Sequence, residues 1–599
     1  MGTRGILNVP ITNPEAFDAR RGSLGEYKIF LRLLRYVFPY RRLLFLGLVT
    51  MLVYTVAVVA APFLVQLMIN EITGDTPEMS TLYVIAGLYG GNAALHWVTH
   101  YIHQIAFQRV AQNGLVDLRD DMFGHLQDQS MSFYDGESMG RIMSRLQNDI
   151  HQLQEFLSSV AVTFGDLLIL FVIVGVMLFM DWRLGLITMA VAPVIIWIIL
   201  IWQTRTWPRF MQVRRTLAIV NGNLQENLTG MRVIQSLNRE GRNLDDFVNR
   251  YNKDHLQSQI DSSRLSAALM PLVEGFSGIS MALVVVVGGI MVLDGNLQIG
   301  IVVAFSLYIQ RFFEPIRFIT MQYTQMQRAL TSSSHIFELM DRPIAIREKP
   351  DAPEIGSIKG EIEFKNVDFH YVEGLPVLKN MNLQIRAGET VAIVGVTGAG
   401  KTTLSALLLR LYDVTKGSIK IDGVDVREIN RGSLVNQIGT VLQEPFLFSG
   451  TFIDNIRFNH LEVSDQQIEK IATLVGANKF IDKMGGYDSM VEEKGANLSA
   501  GERQLVALAR ALVFDPKIII MDEATASIDS YTESVIQEAI EKIFENRTAL
   551  VIAHRLSTVR NADRIIVMSA GEIIEEGNHS ELLRQQGVYY ALYWQNFSK

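Results

Sequence analysis

A chain of 599 residues leaves room for about four domain-sized units. It is 49% hydrophobic and only 19% charged, against roughly 25% charged in soluble proteins, so membrane spans fit it better than one very large core. The net charge of −8 argues against a nucleic-acid partner, which calls for a basic face, and the lack of cysteine excludes disulfides, thiolate metal sites and cysteine nucleophiles.

Residues 1–42 are polar and rich in arginine, with no charged-then-apolar-then-cleavable signal pattern. From Tyr27 to Tyr40 apolar residues recur at helical spacing between arginines, which predicts an amphipathic elbow helix lying on a membrane surface. Six apolar runs follow, near 43–69, 82–106, 157–180, 184–205, 268–293 and 299–325, each about the length a span needs. His96, His100 and His103 interrupt the second run, and the sixth turns amphipathic past Gln310. Six spans put both ends of the chain on one side.

The short connections Glu71 to Ser80 and Leu293 to Gln298 hold no Lys or Arg, and Asp181-Trp182-Arg183 holds one. Basic residues collect in the N-terminal segment and in the long connections, which by the positive-inside rule face the cytoplasm of a multi-pass plasma (inner) membrane protein. The connections 107–156 and 206–267 are too polar for lipid and keep a helical period, so they extend the helices of a membrane domain, 43–325, beyond the bilayer. Their turns, Phe133 to Gly140 and Ser236 to Gly241, are placed to touch something below. A Pro-bearing linker, 326–356, leads to 357–599, where strands and helices alternate in α/β fashion.

In that last segment the apolar run Thr390 to Val394 leads into Gly395-Val-Thr397-Gly398-Ala-Gly400-Lys401-Thr402-Thr403 and then a helical pattern. Strand, glycine turn and helix are the context that makes G-x-x-x-x-G-K-[ST] a phosphate-binding loop. Its N–H groups and the helix's positive end converge on phosphate, Lys401 adds a charge, and Thr402 offers a hydroxyl to Mg²⁺. Lys517 to Glu523 is an apolar strand ending in two carboxylates. Asp522 suits the metal and Glu523 suits activation of the attacking water. Gln443 can reach metal and water, His554 follows another apolar strand and can touch the γ-phosphate, and Tyr371 can stack on adenine. A second anion cradle opens at Leu498-Ser499-Ala500-Gly501-Glu502-Arg-Gln504. It lies too far along the chain to duplicate the first, and its natural use is to bind the γ-phosphate of a nucleotide held elsewhere.

These motifs, together and in this order with Ser527-Ile-Asp529, resemble an ABC-transporter nucleotide-binding domain. Residues 25–597 resemble a half-transporter of the type IV exporter kind, an all-α six-helix membrane domain followed by an α/β ATPase domain with a helical subdomain. Phe133-Tyr-Asp to Gly140-Arg-Ile-Met-Ser-Arg145 is similar to the family's first coupling segment. The resemblance implies that two chains pair and sandwich two ATPs between the loop of one and Ser499 and Gly501 of the other. Glu523 is then the catalytic base, His554 the switch histidine, and Asp529 part of the loop linking the two sites. The expected cofactors are ATP and Mg²⁺, and the expected cargo an amphipathic drug, lipid or peptide moved by alternating access. A metal-chelate importer or an ATP-gated channel on the same scaffold are the alternatives.

One departure matters: the family's usual L-S-G-G-Q here reads Leu498-Ser499-Ala500-Gly501-Glu502. Tolerated drift in a homodimer and one half of an asymmetric heterodimer both fit it. For the substrate, the intramembrane ionisable residues Asp166, Glu274, His100, Arg311 and Glu314 are candidates by position alone.

Overall fold

In the computed structural model, residues 24–597 are described apart from 350, 459, 461, 523–529, 554 and 555. They separate into two units, residues up to 126 with 140–342, and 127–139 with 343–599.

The first unit is helical. A short helix α1 (Leu24–Val37) precedes α2 (Arg41–Thr73) and α3 (Met79–Gln127). The small helix α4 (Met131–Gly136) groups with the second unit. Then come α5 (Ile150–Met180), α6 (Trp182–Met189), α7 (Val191–Thr229), α8 (Lys253–Leu293) and α9 (Ile299–Met340). Each predicted apolar run falls inside this set, and α3, α7, α8 and α9 carry on well past the apolar stretch as helix. Prolines 62, 208, 271 and 315 sit inside helices, which long membrane helices tolerate when neighbours satisfy the freed carbonyls.

Small polar devices fix the ends. Asp181 caps α6 by accepting the Leu184 N–H at 2.9 Å, so the turn between α5 and α6 needs no loop. At the start of α9, Gly300 donates its N–H to Asn70 Oδ1, and a Cβ there would meet that oxygen at 2.4 Å. The elbow helix α1 is anchored by polar bonds: Tyr36 and Tyr40 donate to Asp121 and Asp117 on α3, and Arg32 pairs with Asp341 at 2.7 Å. Between the helices Ile173, Ile195, Val273, Val284, Phe305 and Phe313 are fully buried, while Phe45, Phe171 and Phe179 stand exposed, the apolar exterior that lipid covers.

Four helical stretches, Leu31–Thr73, Met139–Met180, Trp182–Thr229 and Glu240–Leu293, are long and apolar enough to cross a membrane. The second and sixth predicted spans lie on α3 and α9, and on α3 the imidazoles dilute the apolar face.

The second unit is built on strands. Six form one sheet in the order β12-β11-β3-β10-β9-β6: β3 (Thr390–Gly395), β6 (Ile438–Val441), β9 (Ile518–Asp522), β10 (Thr548–Ile552), β11 (Arg564–Ser569) and β12 (Glu572–Gly577). The strands from β11 through β6 run parallel, and β10 is buried along its whole length, as a central parallel strand must be. A second sheet, β2-β1-β4-β5, is antiparallel and uses β1 (Ile362–Phe369), β2 (Leu378–Ile385), β4 (Lys416–Ile421) and β5 (Val424–Asp425), and the short strands β7 (Gly450–Thr451) and β8 (Met490–Val491) pair with each other. Helix α10 (Lys401–Leu408) follows β3. Helices α11 (Phe452–Arg457), α12 (Asp465–Leu474), α13 (Asn478–Lys483) and α14 (Ala500–Leu512) make the helical subdomain. Their apolar faces share one core with β9 and β10.

Candidate functional site

The parallel strands end together. Ile552 of β10 stands opposite Asp522 of β9 and Ile393 of β3, while Val441 of β6 stands opposite Met521. In open α/β sheets ligands bind beyond these carboxyl ends. Most of the candidate residues lie there: the 395–402 loop after β3, Gln443 two residues past β6, and Asp522 closing β9. Glu523, Asp529 and His554 lie outside the described residues, although the strands leading to Glu523 and His554 end side by side.

The loop depends on glycine. Gly400 caps α10 at φ +98°, and a Cβ there would meet the Leu378 side chain at 2.8 Å. Gly398 also has positive φ, the left-handed region that glycine enters without a Cβ penalty. Lys401 is buried and donates to the Gly395 carbonyl at 2.7 Å and the Val396 carbonyl at 3.2 Å. Burial lowers its pKa, and the Asp522 carboxylate opposes that shift. Thr402 Oγ1 lies 3.3 Å from Asp522, a hydroxyl and a carboxylate that suit one divalent cation. Tyr371 is exposed beside the loop, and its hydroxyl donates to Thr403 at 3.2 Å. Its ring meets Phe369 and Tyr412 edge-on, at 4.8 and 5.1 Å, which holds the plane upright for stacking.

The second cradle is built differently. Ser499 caps α14, accepting the Glu502 N–H at 3.3 Å, and the Glu502 carboxylate accepts the Ser499 N–H at 2.8 Å. This is a reciprocal capping box, legible in the sequence as S-x-x-E. Gly501 is buried in the first turn. Among the described residues no hydrogen bond or ion pair joins Ser499, Gly501 or Glu502 to the 395–402 loop. The two cradles belong to separate elements.

Two further features pair residues whose meeting the sequence spacing does not reveal. Arg510 on α14 donates to the Asn455 carbonyl at 2.7 Å, the Phe446 carbonyl at 2.8 Å and the Asn455 side chain at 3.0 Å, and it lies over the Phe458 ring. Burial pulls its pKa down to about 10. It ties α14 to the segment that begins just past Gln443. Asp135 of α4 accepts a short hydrogen bond from Tyr412, the same ring that supports Tyr371. The turn predicted at Phe133 to Gly140 therefore meets Tyr412, the ring beside Tyr371, within the second unit.

Comparison with known proteins agrees with this geometry. Residues 44–316 match the model for the ABC transporter transmembrane region, and residues 378–526 match that for ABC transporters. An uncharacterised ABC transporter ATP-binding protein, YknV of Bacillus subtilis, is 39% identical over 94% of this chain and 93% of its own. An ATP-dependent lipid A-core flippase of Syntrophus aciditrophicus is 35% identical over 95% of each. A fatty acid ABC transporter ATP-binding/permease protein of Mycobacterium bovis is 34% identical over 86% of this chain and 80% of its own. Among solved structures, a bacterial Atm1-family ABC exporter with ATP bound superposes with a TM-score of 0.75 at 25% identity, over 93% of this chain and 99% of that one.

Proposed function

The chain belongs to the ABC transporters, an exporter-type membrane region fused to an ATP-hydrolysing domain, and we propose that it works as one half of a dimeric pump for amphipathic compounds. Six spans, with both ends and the ATPase domain cytoplasmic in a plasma membrane, are part of that proposal. The observation that carries it is the pair of unjoined cradles. The 395–402 loop can bind the phosphates of a nucleotide, and among the described residues nothing joins it to the Ser499 cradle, so in this reading a second protomer supplies the nucleotide that cradle closes on.

In this reading Tyr371 stacks on adenine, the loop N–H groups and Lys401 hold the phosphates, and Gly501 with the Ser499 hydroxyl meets the partner's γ-phosphate. Thr402, Gln443 and Asp522 would hold Mg²⁺, which when bound offsets phosphate charge. Glu523 polarises the attacking water, His554 steadies the transferring charge, and Asp529 links the sites. ATP shifts the pair toward the closed state because it binds that state more tightly, and hydrolysis removes the bridge. Asp135 carries the change through α4 to the helices.

Glu502 bears on the partner's identity. Its carboxylate already occupies one N–H of the helix N-terminus and puts negative charge where a phosphate would approach. That favours a sister chain with an uncharged signature, facing this chain's complete loop, over a pair of identical chains. The test is the Glu523→Gln chain purified with whatever it natively retains. Hydrolysis should fall about 10²–10⁴-fold while ATP binding survives, and the retained chain should be a second half-transporter. Wild-type turnover would remove Glu523 from this role, and a lone protomer that hydrolyses ATP at full rate would end the dimeric reading.

A further inference from the structure

Ionisable groups that the sequence spreads from position 54 to 314 converge in the first unit. The Tyr54 ring on α2 lies 5.0 Å from His96, 5.0 Å from His100 and 4.9 Å from His103, which line one face of α3. Asp166 on α5 and Arg311 and Glu314 on α9 lie within electrostatic reach of the same tyrosine. Asp166 and Glu314 both line one cavity of about 270 Å³, with Thr163, Leu167, Pro315 and Gln322 around them. Glu274, the remaining candidate, is exposed on α8 and pairs with none of these among the described residues.

The charges do not cancel. Arg311 stands 3.5 Å from Glu314, a loose pair. Asp166 has no hydrogen bond or ion pair among the described residues. Two carboxyl groups line the cavity and one guanidinium, Arg311, stands beside Glu314, so acidic groups outnumber basic ones there. An unpaired carboxylate in a span is costly to insert, and such groups mark substrate paths. At 1.5 Å per residue the two carboxyl groups lie roughly 20 Å from the short-loop ends of their helices, Met180 and Ile299. That is the leaflet from which an exporter would draw an amphiphile.

We propose that this cavity is a cation-selecting substrate site, taking an amphipathic organic compound whose polar end carries a permanent or protonated positive charge. The inference rests on the exporter reading above and names its substrate class. The positive end sits between Asp166 and Glu314, and the apolar body lies against Val162, Leu167 and Pro315. A metal ion fits less well, since no group of three or more His, Asp or Glu among the described residues is arranged to hold one. A fatty carboxylate, the cargo in one relative's name, would bring a like charge to Asp166.

Tetraphenylphosphonium and tetraphenylborate share a shape and differ in the sign of charge. Their binding to the full-length protein, with its native partner and without ATP, gives a cation-to-anion affinity ratio, and comparing variants with wild type cancels their unequal partition into lipid. Asp166→Asn and Glu314→Gln should each lower that ratio about fivefold and together at least tenfold, while Asp166→Glu keeps it. A double variant that still binds ATP and holds the ratio within twofold of wild type would overturn the site. ATP-driven flux is measured separately on the same vesicles. A charge-dependent ratio without flux would defeat the exporter reading and leave the site standing, whereas flux with no charge dependence would do the reverse.

Discussion

Two helices in the ATPase unit open on an anion cradle, and they open in opposite ways. Helix α10 starts behind Gly400, a cap with no side chain, in a loop whose backbone is bent by positive φ at Gly398 and Gly400. Helix α14 starts behind Ser499 and is closed by a carboxylate from its own first turn. The first leaves its N–H groups to a ligand and places a buried lysine beside them. The second uses half of its capacity on itself. A glycine near a helix start is thus not enough to define a phosphate site, because what satisfies the orphan N–H groups decides how much is left for a ligand.

The largest effect that tests this difference comes from matched substitutions. Lys401→Ala should weaken ATP binding by about 100-fold, since a charge-assisted contact of roughly 2–3 kcal/mol is lost. Ser499→Ala should leave nucleotide affinity within about twofold and lower hydrolysis about tenfold, because it acts on a nucleotide held by the partner. Labelled-ATP binding and phosphate release on the same preparations separate the two. Ser499→Thr keeps a capping hydroxyl and controls for the roughly 1 kcal/mol that a lost cap costs. Equal loss of binding in both variants would mean the cradles serve one nucleotide within a chain.

The next effect is on stability and belongs to α14 alone. Arg510→Lys keeps the charge but cannot make three bonds in fork geometry to Asn455 and Phe446. A cost of about 2 kcal/mol should lower the melting temperature of the ATPase unit by roughly 4–8 °C. Among the described residues α10 has no comparable clamp, and apolar contacts from Leu404, Leu407 and Leu408 do the packing. If the substitution leaves melting unchanged, the clamp is not what positions the signature helix.

Legibility followed the same divide. Local pattern was enough for the 395–402 loop, because strand, glycines, lysine and helix are contiguous in sequence. It was enough for the apolar runs that became helices, and for the Ile518 to Met521 and Thr548 to Ile552 strands, whose unbroken apolar character marks buried parallel strands. The capping box could be read from Ser499 and Glu502, yet its meaning for phosphate binding appeared only with the bond lengths. Contacts distant in sequence left no trace in it. Nothing in the spacing of Asp135 and Tyr412, of Arg510 and Phe446, or of Asp166, Glu314 and Tyr54 says that they meet, since each pairing is created by the tertiary fold.

A smaller effect sharpens the second cradle. Glu502→Gln keeps an acceptor for the Ser499 N–H and removes the charge, so the helix should lose less than about 0.5 kcal/mol. At a surface-like dielectric, a unit charge several ångströms from a phosphate is worth on the order of 1 kcal/mol after screening, or about fivefold. Hydrolysis by chains forced to pair with themselves should therefore rise about fivefold. Unchanged turnover would make Glu502 a neutral replacement and remove the reason to expect a sister chain.

The smallest effect reaches from the first cradle toward the membrane helices. Tyr412→Phe deletes the bond to Asp135 but keeps the ring that props Tyr371, so the adenine platform should survive. One hydrogen bond to a charged, solvent-reached carboxylate is worth about 1 kcal/mol here, which bounds the change to roughly fivefold or less. The consequence should appear in coupling rather than in nucleotide affinity. ATP binding should stay within twofold, while substrate moved per ATP hydrolysed falls about twofold. If affinity falls and the transport ratio holds, the tyrosine serves the nucleotide platform alone. The first turn would then need another route to signal that ATP is bound, and the two cradles would differ only in how they hold phosphate.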